Sequence, residues 1–356
     1  MTPYRFFTSV TRRSDLWCEP FEVEALPRES WATGDFVVGR AFGMRSRLYR
    51  CETKTGRMAE MVVGDQLVGA LGRRAATLEG VGDWRDVGPD LRMEALTSAG
   101  LLGKATSTSP LLPDLMTLEY LGHTLRNGRK VTMRDFVEPV PIRPLNMPVV
   151  LMIGTSMSAG KTSSGRVAIR ALKYLGCEVV AAKLTGAARY RDILSYRDCG
   201  AVAIYDFVDA GLPSTACPAD QYREALTLLL AKVQKTGADV LVAEAGASPL
   251  EPYNGEAAIA ALGGHTRFTV LCASDPYAVL GVQTAFGDAA PPDIVAGPAA
   301  NTDAAVALVK QLTGLPALNL LDRSSYPEFT RRLAAALDIE PSGAGSPKAA
   351  NETVPA

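Results

Sequence analysis

Beyond residue 147 the chain alternates short, continuously apolar runs with longer stretches whose apolar positions recur at helical spacing. Pro148 to Ile153 reads as a buried strand. Lys161 to Leu175 follows as a helix with Ala168, Leu172 and Leu175 on one face, stopped by Gly176. Cys177 to Lys183 is the next strand, Tyr222 to Lys235 a helix closed by Gly237, and Asp239 to Glu244 a strand that begins and ends with a carboxylate. Phe268 to Ala273, Asp293 to Gly297 and Pro316 to Leu321 are expected as further strands, with helices over 276–286 and 302–313. A last helix is opened by Ser325-Tyr-Pro-Glu328, the Ser-x-x-Glu spacing of a capping box. Continuous apolar strands separated by helices are what a parallel sheet covered on both faces requires. The pattern therefore predicts one doubly wound, mostly parallel α/β domain over residues 149–340.

Ahead of it, residues 138–148 carry four prolines in eleven positions, which no helix or central strand sustains, and read as an extended linker. Residues 1–137 have short apolar runs punctuated by glycine. One pattern recurs, Gly34-Asp-Phe-Val-Val-Gly39 and Gly64-Asp-Gln-Leu-Val-Gly69, each a turn followed by a short apolar strand. That suggests a smaller, β-rich, barrel-like domain of related hairpins, although two unrelated hairpins would read the same. Clustered leucines at 101, 102, 111, 112, 115, 118 and 121 make residues 95–130 look helical, so the first domain is expected to be α+β. The segment from Pro341 onward has little to bury and is expected to be disordered.

Composition changes the picture mainly by exclusion. At 356 residues, 47% apolar and 21% charged, the chain is long enough for two globular domains and is not collagen, coiled coil or disordered throughout. Lys plus Arg total 37 against 38 for Asp plus Glu, and neither half is basic, so no long-range attraction to nucleic acid or an anionic membrane is expected. Cys18, Cys51, Cys177, Cys199, Cys217 and Cys272 form no CxxC pair, and only His123 and His265 are available, so a zinc site or a histidine-based triad has little to draw on. With no apolar leader at the start and no long apolar run, a cytoplasmic protein is expected.

The most informative stretch is Gly154-Thr155-Ser-Met-Ser158-Ala159-Gly160-Lys161-Thr162, between the first strand and first helix of the second domain. Glycines let backbone N–H groups turn inward around a phosphate, and the helix N-terminus adds its dipole. Lys161 can neutralise the outer phosphates, while the Thr162 hydroxyl can ligate Mg²⁺ and Ser163 extends the cradle. The usual Gly-x4-Gly-Lys-Ser/Thr pattern would place a glycine at 155, where this chain has threonine and its first glycine one position earlier. Gly103-Lys104-Ala-Thr106 has no strand ahead of it and is set aside.

Gly-Thr-x4-Gly-Lys-Thr resembles the loop of dethiobiotin synthetase and its relatives, the cobyrinic acid amide synthases and the P-loop class that includes MinD-like ATPases. The resemblance extends to Ala182-Lys183-Leu-Thr-Gly186 and to Val242-Ala-Glu244-Ala-Gly246-Ala-Ser248. It implies that Glu244 helps to hold Mg²⁺ and that Lys183 meets the reacting group of the substrate, although Leu184 stands where those proteins have proline. Lys183-Leu-Thr-Gly and Tyr205-Asp-Phe-Val-Asp-Ala-Gly-Leu-Pro-Ser-Thr215 are similar to the P-loop family that includes D-glutamate N-acetyltransferase. The likeness covers residues 148 to about 320 and leaves the first domain out.

Between the second and third strands, Arg189 and Arg191 lie where a doubly wound sheet binds ligands and could hold a substrate carboxylate or phosphate; a solvated charged helix would look the same. Arg189, Asp192 and Tyr196 would share one helical face. Asp206 or Asp209 could be a second Mg²⁺-side carboxylate, or both could be turn caps. Ser248 and Asn254 sit in a polar loop suited to substrate recognition, and Asn301 could read a base or cap the following helix.

The expected activity is that of a Mg-ATP-dependent ligase or kinase-like enzyme that activates a small, anionic, carboxylate-containing metabolite. The alternatives are an N-acyltransferase that grips a CoA-like donor with the loop, and a nucleotide-switch ATPase or GTPase. By resemblance, a homodimer is expected.

Overall fold

The computed structural model describes residues 4–43, 50–246, 248–286 and 290–340; the segment from Pro341 lies outside them. In the second domain, numbered from its own first strand, β1 (Val149–Gly154), β2 (Val179–Thr185), β3 (Ala203–Asp206), β4 (Val240–Ala245), β5 (Thr266–Cys272) and β6 (Ile294–Ala296) form one sheet in the order β3-β2-β4-β1-β5-β6. Every pairing in it is parallel. The helices between them are α1 (Lys161–Tyr174), α2 (Tyr190–Asp198), α3 (Ala219–Lys235), α4 (Gly255–Leu262) and α5 (Pro276–Phe286), with α6 (Asp303–Thr313) and α7 (Tyr326–Ala336) after the last strand. β1, β2 and β4 are buried along their whole lengths, because helices cover both faces. From β1 the chain first fills one side of the sheet and then crosses to β5 on the other. The crevice beyond the carboxyl end of β1 is thus a topological switch point.

Two expectations for this domain fail locally. Pro316 to Leu321 is not a strand: Ala317 makes a single bridge to Val295, and the chain turns away at Leu320–Leu321. Ser325 precedes α7 in helical conformation and makes no side-chain cap, because Glu328 is turned toward Arg331 and Arg332 instead.

The first domain is β-rich. Strands Gln66–Leu71, Phe36–Ala41, Thr117–Arg126, Arg92–Ala95 and Leu101–Thr108 follow one another in the sheet, and the last pairs back onto the first, closing a five-stranded barrel. The two Gly-Asp repeats prove to be its neighbouring antiparallel strands, with Val38 opposite Val68. Val37 and Leu67 cluster in the barrel with Trp31, Met93 and Leu118, whereas Phe36, Val38, Val68 and Ala70 belong to the core that the two domains share. That double burial explains why the repeats are apolar on successive positions. At about 1.5–3 kcal/mol for each large side chain removed from water, these outward residues tie the two domains firmly together.

Residues 95–130 form strands joined by turns, not a helix. The leucine doublets fit a helical period, but along Thr117–Gly122 burial alternates residue by residue, with Leu118 and Tyr120 inside and Glu119 out, and Gly122 to Leu125 are then buried on both faces. The proline-rich stretch 138–148 holds no regular element, yet Leu145 and Met147 are buried in the shared core, so it is packed rather than loose.

Candidate functional site

β1 ends at Gly154, and the chain loops over the carboxyl end of the sheet into α1. Gly160 has φ +96°, a conformation that side-chain-bearing residues avoid, and from there α1 begins at Lys161. The Lys161 side chain folds back across the loop and donates to the Ser156 carbonyl at 2.5 Å. Thr155 is tied down on the other side, its hydroxyl accepting from the Ser274 N–H at 3.1 Å. Ala159 is buried, Ser158 and Ser163 are exposed, and with Gly160, Lys161 and Thr162 these two serines face the cleft.

Three neighbouring strand ends place the charged residues. The register sets Glu244 of β4 beside Lys183 of β2, and Lys183 beside Asp206 of β3. Glu244 is a hub: Thr162 Oγ1 donates to it at 3.0 Å, the Tyr196 hydroxyl donates to the same oxygen, and Lys183 Nζ lies 3.9 Å from the other. Tyr196 reaches this point because residue 165 is glycine; a Cβ there would lie 2.8 Å from the tyrosine oxygen. Lys183 donates to Asp192 of α2 at 2.7 Å.

Burial acts on each group, and the partners decide the outcome. Burial pulls the Lys161 pKa below its usual value, and the Glu244 charge offsets this only in part. Burial would lower Lys183 too, but Asp192 and Glu244 outweigh it and hold the ammonium charged. Burial, then the Glu244 charge, raises Tyr196 well above the ordinary phenol, so it remains a donor.

These residues floor a cavity of about 570 Å³ whose opposite wall is the first domain, including Arg74, Glu79, Leu96 and Thr97. The volume suits a nucleotide or small metabolite. Four basic residues (Arg74, Lys161, Lys183, Arg189) and three acidic ones (Glu79, Asp192, Glu244) line it. Thr162 and Glu244 give a hydroxyl and a carboxylate in contact at a helix N-terminus. No group of three or more His, Cys, Asp or Glu among the described residues could hold a metal alone. That donor set fits Mg²⁺, which takes one or two protein oxygens and completes its shell with phosphate and water.

Several expected site residues are committed elsewhere. Asp206 and Asp209 are not metal ligands at the loop: Arg12 reaches both, at 2.6 and 3.3 Å, and Arg13 binds Asp209. The two aspartates also cap one another's turn. Asn254 spends its amide on the Thr215 and Cys217 carbonyls, at 2.8 and 3.0 Å, and holds a left-handed turn rather than a ligand. Ser248 is used locally, its hydroxyl accepting from the Leu250 N–H. Asn301 is exposed, and the cap of α6 is Thr302. Arg189 lines the cavity, whereas Arg191 is exposed and its backbone N–H is engaged by Glu52. Lys104 of the discarded Gly-Lys motif pairs with Glu94 in the barrel.

Sequence reasoning missed Arg74 and Glu79. They lie on the hairpin Arg73–Ala76/Gly80–Asp83, which overhangs the loop; Glu79 accepts from Ser158 Oγ at 2.9 Å and also binds Arg74. Tyr253 and Glu251 dock that hairpin by accepting from the Ala75 and Thr77 N–H groups. The only sequence signal is a pair of arginines before a turn.

The loop between β1 and α1, the parallel sheet and the strand-end carboxylate define a P-loop domain of the nucleotide-binding kind, preceded by a β-barrel domain. No family model matches the chain, and no curated protein matches it in sequence. Among solved structures it is similar to chloroplast FtsY from Physcomitrella patens (13% identity, 50% of this chain and 60% of that one, TM-score 0.33). It is also similar to a DUF1611 family protein from Anabaena variabilis (20%, 57% and 63%, 0.39). A third is the 54 kDa signal recognition particle protein of Aeropyrum pernix K1, in complex with GDP (17%, 55% and 47%, 0.35). Each match spans less than two thirds of the neighbour. No helix among the described residues is long and apolar enough to cross a membrane.

Proposed function

We propose that the protein binds a Mg²⁺-nucleoside triphosphate, ATP in the first instance, and uses its terminal phosphate to activate a small anionic metabolite in the interdomain cleft, as a ligase or kinase-type enzyme. The observation that supports this reading is the convergence of Lys161, Thr162, Glu244 and Lys183 on the floor of a cavity walled by the first domain. A cleft closed by another domain limits water around an activated intermediate, which favours transfer to a bound acceptor. The loop N–H groups and Lys161 would hold and neutralise the phosphates, and Thr162 with Glu244 would hold the metal. Bound there, Mg²⁺ would neutralise charge on the outer phosphates. Lys183, kept charged by Asp192, would orient the acceptor's anionic group, with Arg189 at the rim. The resemblance to dethiobiotin synthetase relatives points the same way.

A second reading, a nucleotide switch, has its own support. Glu52 of the barrel domain accepts the Tyr190 and Arg191 N–H groups at the start of α2, the helix that carries Asp192 and Tyr196. A rearrangement at Glu244 would be felt by the first domain. Thermal shift and turnover with Mg-ATP, Mg-GTP and acetyl-CoA separate the readings. The enzyme reading requires stabilisation by a triphosphate and phosphate release that depends on added carboxylate metabolites. Stabilisation by acetyl-CoA alone would overturn it in favour of the acyltransferase alternative, and acceptor-independent hydrolysis would favour the switch.

A further inference from the structure

Arg74 is a conspicuous group on the cleft wall opposite the loop. Its side chain is 10% exposed, one guanidinium nitrogen donates to the Leu96 carbonyl at 2.8 Å, and another binds Glu79. Its Nε is buried without a hydrogen-bond partner among the described residues. The neighbouring Thr97 hydroxyl, on the same wall, is likewise buried and unpartnered among them. Buried polar groups without partners are costly, and both residues line the cavity.

Glu79 joins Arg74 to the loop. Its carboxylate binds Arg74 through one oxygen and accepts from Ser158 through the other. A carboxylate on an anion-binding loop is incompatible with a phosphate at the same place, since two like charges within a few ångströms in a partly dry cleft repel by several kcal/mol at an effective dielectric constant of about 20. A triphosphate along the loop must therefore displace Glu79, and Arg74 then loses its counter-ion just where new negative charge has arrived.

We propose that Arg74 is a phosphate-binding residue contributed by the barrel domain, which takes the terminal phosphate of the bound triphosphate when Glu79 leaves Ser158. The inference rests on the nucleotide reading above. The planar guanidinium suits the role, because a nitrogen fixed by Leu96 leaves the others to meet phosphate oxygens in a set geometry. The docking of the hairpin by Tyr253 and Glu251 holds Arg74 over the loop, so the contact forms only when both domains are in place.

The test is calorimetric binding of Mg²⁺ with AMPPNP and GMPPNP, compared with ADP and GDP, on the full chain and on R74A, R74K and E79Q. Wild type should favour triphosphate over diphosphate. R74A should lose at least about tenfold of triphosphate affinity while diphosphate binding stays within about twofold, and R74K should fall between. E79Q, which removes the competing charge but keeps Arg74, should tighten triphosphate more than diphosphate. E79Q keeps the proposal testable should R74A fold poorly. Unchanged preference in R74A, R74K and E79Q would overturn the assignment while leaving nucleotide binding intact. If wild type bound neither class, the nucleotide reading itself would fall, and this inference with it.

Discussion

Tyr196 and Glu244 are hydrogen-bonded although they belong to different elements, the tyrosine to α2 and the glutamate to the end of β4. The bond fixes the orientation of the carboxylate that also receives Thr162, and it ties α2 to the centre of the sheet. Removing the hydroxyl in Y196F should cost about 1.5–3 kcal/mol of stability, the range for a hydrogen bond to a charged group. The Mg²⁺ concentration for half-maximal turnover should rise about tenfold, as for loss of an outer-shell partner. Urea unfolding and a Mg²⁺ titration of activity check the two effects; an unchanged Mg²⁺ requirement would mean that Tyr196 only packs.

Lys183 is buried, and Asp192 neutralises it. D192A leaves that charge with Glu244 alone, 3.9 Å away, and should destabilise the protein by about 3–5 kcal/mol. Adding K183M to D192A should recover much of the loss, because the apolar stem fills the space without the charge. Denaturation midpoints of the single and double variants decide the matter: equal loss in both would show that the cost lies in the α2 backbone instead.

Acid stability follows from Asp35 and Asp209. Burial pushes both pKa values up, but His123 and Lys130 around Asp35, and Arg12 and Arg13 around Asp209, outweigh it and hold them below the ordinary carboxylate. A carboxyl group that is harder to protonate when folded contributes stability fully above its unfolded pKa of about 3.9, and that contribution is lost as pH falls through the folded value. Stability should thus be flat in these groups from pH 7 to about 5 and fall below about 4. Asp206 runs the other way, since burial prevails over Arg12 and raises its pKa. In D209N the fall below pH 4 should be shallower, as read from urea midpoints across pH.

Glu52 is fully buried and serves as a cap for α2 from the other domain, with Ser9 as a further donor. E52A leaves the two helix N–H groups unsatisfied and should cost about 1–3 kcal/mol. Hydrogen exchange should accelerate at residues 189–193 while the barrel strands stay protected. Uniform acceleration across the barrel would show that Glu52 supports its own domain instead.

Contiguity decided what could be read in advance. The phosphate loop was legible because its chemistry sits in nine adjacent residues between a recognisable strand and helix. Lys183 and Glu244 were legible because they end apolar strands, and parallel strands bring their ends together. Asp206 and Asp209 carried the same signal, but their partners Arg12 and Arg13 lie nearly two hundred positions earlier, in another domain. Arg74 and Glu79 acquire meaning only when their hairpin docks over Ser158, which no local pattern announces. The leucines between 101 and 121 satisfy helical and strand periods alike; barrel closure settled Leu101, Leu102, Leu118 and Leu121 as strand residues, and Leu111 and Leu112 as a turn between them. The repeated Gly-Asp strands show the converse: their double burial, toward the barrel and toward the second domain, is what their unbroken apolar runs record.

The central claim is that the loop holds a Mg²⁺-nucleoside triphosphate through Lys161. Isothermal calorimetry of wild type and K161A with Mg-AMPPNP and Mg-GMPPNP tests it most directly. The account predicts saturable one-to-one binding of at least one of them to wild type and a loss of about a hundredfold or more in K161A, roughly 3 kcal/mol, with the thermal midpoint of the ligand-free protein little changed. Equal affinity in the two proteins, or no binding by wild type, would contradict it.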